Sequence, residues 1–181
     1  MQPYEAVTME AVAALAGVSK MTVYSHFRDK ETLFERNVVA ICDDVLASLR
    51  VRRPGEDLRA RLVAVGTALL TVVLRETCAT EHAFPVTMHA NRLLAERVYA
   101  AGPGRIHSAL ATEITAAAAK GELVVDDSDR AAEDLISLWE GGLPAKLVFG
   151  LAEPASAEEI ELRAERGTAV FLRAYGTRGS G

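Results

Sequence analysis

The chain has 181 residues, 50% hydrophobic and 25% charged, the proportions of an ordinary globular protein with a sizeable core. Twenty Lys and Arg stand against 25 Asp and Glu, and a net charge of −5 excludes binding to polyanions through a broad basic surface. No apolar run approaches the ~20 residues of a membrane helix, no secretory leader is visible, and Cys42 and Cys78 show no paired spacing, so a reduced cytoplasmic protein is expected.

In chain order, Met9, Val12, Ala13 and Ala16 recur at helical spacing, with Thr8 as N-cap, Glu10 in the first turn and Gly17 as the stop. Ser19 caps a second helix, Lys20 to Phe27, with Val23 and Phe27 inward and Tyr24 at the edge of the buried face. Asp29 caps a third helix reaching about Arg50, with an apolar stripe of Leu33, Phe34, Val38, Ile41, Val45 and Leu49. The turn-forming run Arg52 to Asp57 follows. From Leu58 to about Glu76 apolar residues cover most of the circumference, which predicts a helix central to its domain. Cys78 to Ala101 is less regular, with Pro85 early in a helix, and Gly102-Pro103-Gly104 predicts a strong break. A helix from Arg105 to about Lys120 ends at Gly121, and Leu123-Val124-Val125 reads as an extended connector with nothing to pair with. Asp127-Ser128-Asp129 caps a helix running through Leu135 and Trp139, broken by Gly141-Gly142 and Pro144. The last helix runs from about Ala155 to Tyr175.

The segment Thr8 to Leu33 is the one that speaks about function. It places two short helices around a tight turn, the arrangement that presents a second helix to the major groove. Helix–Gly–helix alone is a weak signal, but here the order of residue types narrows it: AGVS at Ala16–Ser19, TVYSHF at Thr22–Phe27 and KETL at Lys30–Leu33. In these elements the chain resembles the DNA-binding domain of TetR-family transcriptional regulators. The resemblance implies an all-α fold, with a helix-turn-helix domain and connecting helix in residues 1–50 and a helical ligand-binding and dimerisation domain in 51–181. It implies that Lys20, Met21 and Thr22 face bases, that Thr8, Tyr24, His26 and Lys30 contact phosphates, and that Ser25 does either. With the cap Ser19, these form the expected DNA-binding set. His26 also reads as a plain surface residue, Tyr24 as core packing and Lys20 as a solvated lysine.

One departure stands out. TetR-type domains begin with a helix that packs across the two described above, whereas only seven residues precede Thr8 and Pro3-Tyr4 occupy the place of its end. The expectation is a head without that helix, with Val12, Val23 and neighbouring apolar surface uncovered. Through Arg53 the segment is neutral: Lys20, Arg28, Lys30, Arg36, Arg50, Arg52 and Arg53 balance Glu5, Glu10, Asp29, Glu31, Glu35, Asp43 and Asp44. A neutral head on an acidic body fits a few placed contacts to a short duplex.

In the last helix Ile160, Ala164, Gly167, Val170, Phe171 and Ala174 form a narrow stripe centred on small residues. Periodicity serves packing within the chain as well as packing on a partner; the resemblance implies the latter, a homodimer on a palindromic operator with recognition helices about 34–36 Å apart. It also implies a repressor released by a small molecule of unknown identity. Phe84, Met88, His89 and Trp139 are candidates to line its pocket, or simply core. Cys78 and His82 share a helical spacing, but no second pair completes a metal site. No phosphate-cradling loop or nucleophile elbow points to an enzyme, and no cofactor or membrane partner is expected. The alternative is a helical dimer that binds ligand or protein without DNA.

Overall fold

The computed structural model describes residues 7–50, 55–79 and 91–177. The described residues form helices α1 (Met9–Ala16), α2 (Lys20–His26), α3 (Lys30–Arg50), α4 (Leu58–Ala79), α5 (Arg92–Ala101), α6 (Pro103–Ala119), α7 (Ser128–Glu140), α8 (Leu143–Val148) and α9 (Ala157–Tyr175). The fold is all-α, as expected, and none of these helices is long and apolar enough to cross a membrane.

The apolar circumference of α4 explains its place. Leu62, Val65 and Leu70 are fully buried, and the helix packs against α3, α7, α8 and α9. The body core closes around it with Leu110 and Ile114 of α6, Leu135 and Trp139 of α7, and Ala164 and Phe171 of α9. Trp139 is the largest side chain in this core and has no exposed surface. Its ring lies against two glycines: a Cβ on Gly66 of α4 would stand 2.6 Å from Trp139 Cε2, and one on Gly167 of α9 would stand 2.6 Å from Cδ1. The indole N–H donates to Thr168 Oγ1 at 3.0 Å, so its one polar atom is satisfied inside the core. A buried ion pair, Arg61 to Glu113 at 3.0 Å, ties α4 to α6.

Several expectations are corrected. Gly102 alone forms the corner between α5 and α6, because Pro103 occupies the first helical turn, where its missing N–H costs nothing. The buried stripe of α3 is Cys42, Val45 and Leu46, rotated from the expected one; Leu33, Phe34, Val38, Ile41 and Leu49 are half-buried. Leu123 does find a partner. Gly176, extended just past α9, bridges to it; Val124 N–H donates to Tyr175 O at 2.7 Å and Thr177 N–H to Glu122 O at 3.3 Å. The stripe on α9 faces inward: Ile160, Ala164, Gly167 and Phe171 are buried in the chain's own core, while Val170 and Ala174 remain exposed. Residues four and seven apart share one helical face, and α4 and α7 already occupy it.

The break after α7 follows expectation, since Gly141 and Gly142 both adopt left-handed φ (52° and 78°).

Substituting Gly66 or Gly167 by Ala drives a methyl into the Trp139 ring. Either change is expected to lower stability by about 1–3 kcal/mol or more through overpacking, read as a drop in the urea midpoint; an unchanged midpoint would show that Trp139 is not wedged as described.

Candidate nucleic-acid interface

The head is small. Met9, Ala13 and Val23 form its buried centre, with Val12, Phe27 and Leu33 packed around them. Val23 is only 5% exposed and Val12 is half-buried, so the two residues expected to be uncovered are not. Among the described residues of the head, the exposed large apolar side chains are Leu15, Val18, Met21 and Tyr24 instead.

Backbone caps do much to hold α1 and α2 in place. Thr8 Oγ1 accepts from Ala11 N–H at 3.2 Å. Gly17, at φ 67°, closes α1 by donating to the Ala13 and Ala14 carbonyls, a left-handed exit that a side chain would strain. Ser19 Oγ accepts from Thr22 N–H at 3.1 Å and lies 2.9 Å from Thr22 Oγ1. Asp29 Oδ1 accepts from Thr32 N–H at 2.7 Å, and hydrogen bonds from the Thr32 side chain and then its backbone hold the Asp29 carboxyl below its usual range. Because Val23 anchors the inner face of α2, Lys20, Met21, Thr22, Tyr24, Ser25 and His26 are all exposed. Thr8 and Ser19 are exposed at the two caps, and Lys30 is half-buried at the start of α3. The structure thus brings the expected DNA-binding set onto one small unit, with hydroxyl, ammonium, imidazole and thioether groups directed outward.

Glu10 was read from sequence only as a dipole-matched acid, and it does more. Its carboxylate forms an ion pair with Lys20 across the turn, and the Lys20 ammonium stands 5.6 Å from the Tyr24 ring centroid. The hydrogen bond with Lys20 lowers the Glu10 carboxyl and raises the Lys20 ammonium relative to their ordinary values. The spacing of 10 and 20 follows no helical period, so only the turn geometry brings them together.

α3 carries the head. Leu33 packs in the head cluster and Val45 is fully buried in the body, on one helix of 21 residues, about 30 Å long. Val38 and Cys42 close on the α5–α6 corner, where a Cβ on Gly102 would lie 2.5 Å from Val38 Cγ1. Glu35 pairs with Arg97, and Asp43 with Arg105 at 2.7 Å, fastening α3 to α5 and α6.

Phe84, Met88, His89 and His82 lie outside the described residues. Trp139 is enclosed as described above. On the outside of the body, α7 and α9 leave a groove of about 430 Å³ lined by Leu138, Gly141, Leu162, Arg163, Arg166 and Val170, among others.

Comparison with known proteins follows these features. Residues 60–177 match the family model described as the AefR-like transcriptional repressor C-terminal domain, and residues 2–36 match that of the bacterial regulatory proteins of the tetR family. Among solved structures, the flavonoid-responsive regulator FrrA is 32% identical, with a TM-score of 0.70 over 98% of this chain and 91% of its own. A TetR-family transcriptional regulator from Mesorhizobium loti MAFF303099 is 24% identical, with a TM-score of 0.79 over 96% and 89%. Another from Pseudomonas syringae pv. tomato str. DC3000 is 25% identical, with a TM-score of 0.65 over 97% and 88%. No curated protein matches the chain.

Ser19→Ala removes the acceptor at the start of α2. It is expected to cost about 1 kcal/mol of helix stability and to speed amide hydrogen exchange at Thr22 and Val23. Ser19→Asp, which keeps an acceptor there, is expected to retain wild-type exchange; equal exchange in all three proteins would dismiss the cap.

Proposed function

The chain belongs to the TetR family of transcriptional regulators, and from that premise we propose that it is a repressor that binds a palindromic operator as a homodimer and is released by a small molecule. The observation that carries the DNA-binding part is the exposed face of α2. Val23 fixes the helix from behind, and Lys20, Met21 and Thr22 stand at its N-terminal end, the end that meets base edges in a helix-turn-helix. Thr8, Tyr24, Ser25, His26 and Lys30 flank it with groups able to hold phosphates. The match of 60–177 to a repressor C-terminal domain supports the repressor assignment.

The dimer face proposed is the outer side of α7 and α9. Leu162 is 62% exposed and Val170 38% exposed, beside Arg163 and Arg166, along the groove between α7 and α9. A second copy related by a two-fold axis would cover these residues with their own counterparts. For the effector, Phe84, Met88 and His89 remain the proposed lining, with Trp139 as a fixed wall. The relative FrrA is named as flavonoid-responsive, which makes flavonoids the first class to try. Release requires the ligand to favour an arrangement of the heads that the operator disfavours, and α3 with its contacts to α5 and α6 is the element that would carry the change.

Selection from a randomised duplex library, followed by gel shift, tests the reading. A palindromic site is expected; failure to enrich any duplex would overturn it. On that site Lys20→Met is expected to weaken binding roughly tenfold and to relax preference at one base pair. Lys30→Met is expected to weaken all duplexes alike and to lower the salt slope by about one.

Leu162→Glu should shift the protein from dimer to monomer in sedimentation and abolish operator binding at the same concentration. A ligand panel of flavonoids and other hydrophobic, aromatic or cationic compounds should contain a member that raises the melting temperature and loosens the operator. No response in either measurement would count against the sensor.

A further inference from the structure

Lys20 sits at the first position of α2, where the helix dipole is unfavourable to a cation, and the first turn of α2 holds no acidic residue. The missing negative charge comes from another helix. Glu10, near the start of α1, reaches across the turn to the Lys20 ammonium, which also stands 5.6 Å from the Tyr24 ring centroid. Both charged side chains are more than half exposed, so the pair faces solvent on the surface that meets DNA and is free to open.

We propose that Glu10 is a positioning residue that makes the head discriminate between its operator and other DNA by holding Lys20 neutralised until a matched base competes for it. This rests on the reading of α2 as the recognition helix. The reason is a balance of partners. Any partner that takes Lys20 leaves the Glu10 carboxylate unpaired beside the DNA backbone, and a phosphate offers Lys20 only what Glu10 already offers, one anion, so nothing offsets that loss. A guanine edge offers two acceptors, O6 and N7, in the groove where the phosphate field is already satisfied by flanking contacts. Breaking the pair is therefore offset at the matched site and not elsewhere. Specificity gained by penalising the wrong partner is the expected outcome. It also accounts for a recognition helix whose cation is matched by a neighbouring acid in a head of no net basic charge.

Fluorescence anisotropy of the full chain on its selected operator and on a scrambled duplex of equal length tests this. Glu10→Gln should bind the scrambled duplex more tightly and raise its salt slope by about 0.9, one added phosphate contact. It should thus lose roughly threefold more affinity than wild type between about 50 and 200 mM salt. The operator should gain less, so the specificity ratio falls; Glu10→Asp should restore much of the ratio. In a Lys20→Met background, Glu10→Gln should leave the ratio unchanged. Equal gains on both duplexes, or the same effect with and without Lys20, would make Glu10 a simple repulsive charge and overturn the inference. Glu10→Gln that binds both duplexes indistinguishably from wild type, with operator binding retained, overturns it as well and leaves the reading of the head intact. Wild-type protein that binds no duplex overturns both.

Discussion

Trp139 is the constraint on which the body depends. An indole with no exposed surface has to be accommodated by the helices that cross it, and α4 and α9 do so by presenting glycine at the point of contact. Those two glycines let α4, α7 and α9 approach more closely than any side chain would allow; a Cβ on Gly167 would also lie 3.0 Å from the Leu138 carbonyl. The Thr168 hydroxyl next to Gly167 then satisfies the indole N–H. With α9 pinned in this way, its rotation is settled. Ile160, Ala164 and Phe171 turn inward, and Leu162 and Val170 turn outward. The end of α9 meets Leu123 and gives that segment its bridge partner.

Among the described residues the head has no comparable anchor. Three buried side chains cannot stabilise a domain alone, since small cores seldom offset the entropy of the chain they order. What they lack is supplied by local bonds at Thr8, Gly17, Ser19 and Asp29, and by α3, which belongs to both clusters. The consequence is a unit whose internal geometry is set by short-range bonds and whose position is set by α3. α3 is joined to α5 and α6 at Gly102 and by the pairs Glu35–Arg97 and Asp43–Arg105. In the proposed response to a ligand, a helix about 30 Å long would turn a small change at that corner into a larger one at α2. This is how a signal in the body of a regulator of this kind would be read at its DNA end.

Much of the chain was legible before any coordinates, and for a physical reason. Caps, stops and helix faces depend on residues within one or two turns of each other. Thr8, Gly17, Ser19, Asp29, Asp127 and Gly141 therefore announce their roles in the order in which they occur. The all-round apolar surface of α4 announced its central place, and the spaced elements AGVS, TVYSHF and KETL announced the family. Contacts between helices left no such local trace. Nothing in the spacing of Glu10 and Lys20, of Gly66 and Trp139, or of Leu123 and Gly176 marks them as neighbours.

Amphipathic periodicity tells which residues share a face but not what that face meets. The stripe on α9 was visible as a stripe; only the packing of α4 and α7 against it decided that it is core. The rotation of the buried face of α3 toward Cys42, Val45 and Leu46 was settled in the same way, by where α4, α5 and α6 lie. The sequence alone determined most of the helices, the caps of the head and the kind of reading head they build, because those rest on local bonds. Tertiary structure alone decided which faces remain open to a partner and which charges meet, because those rest on distances that close only when the helices cross.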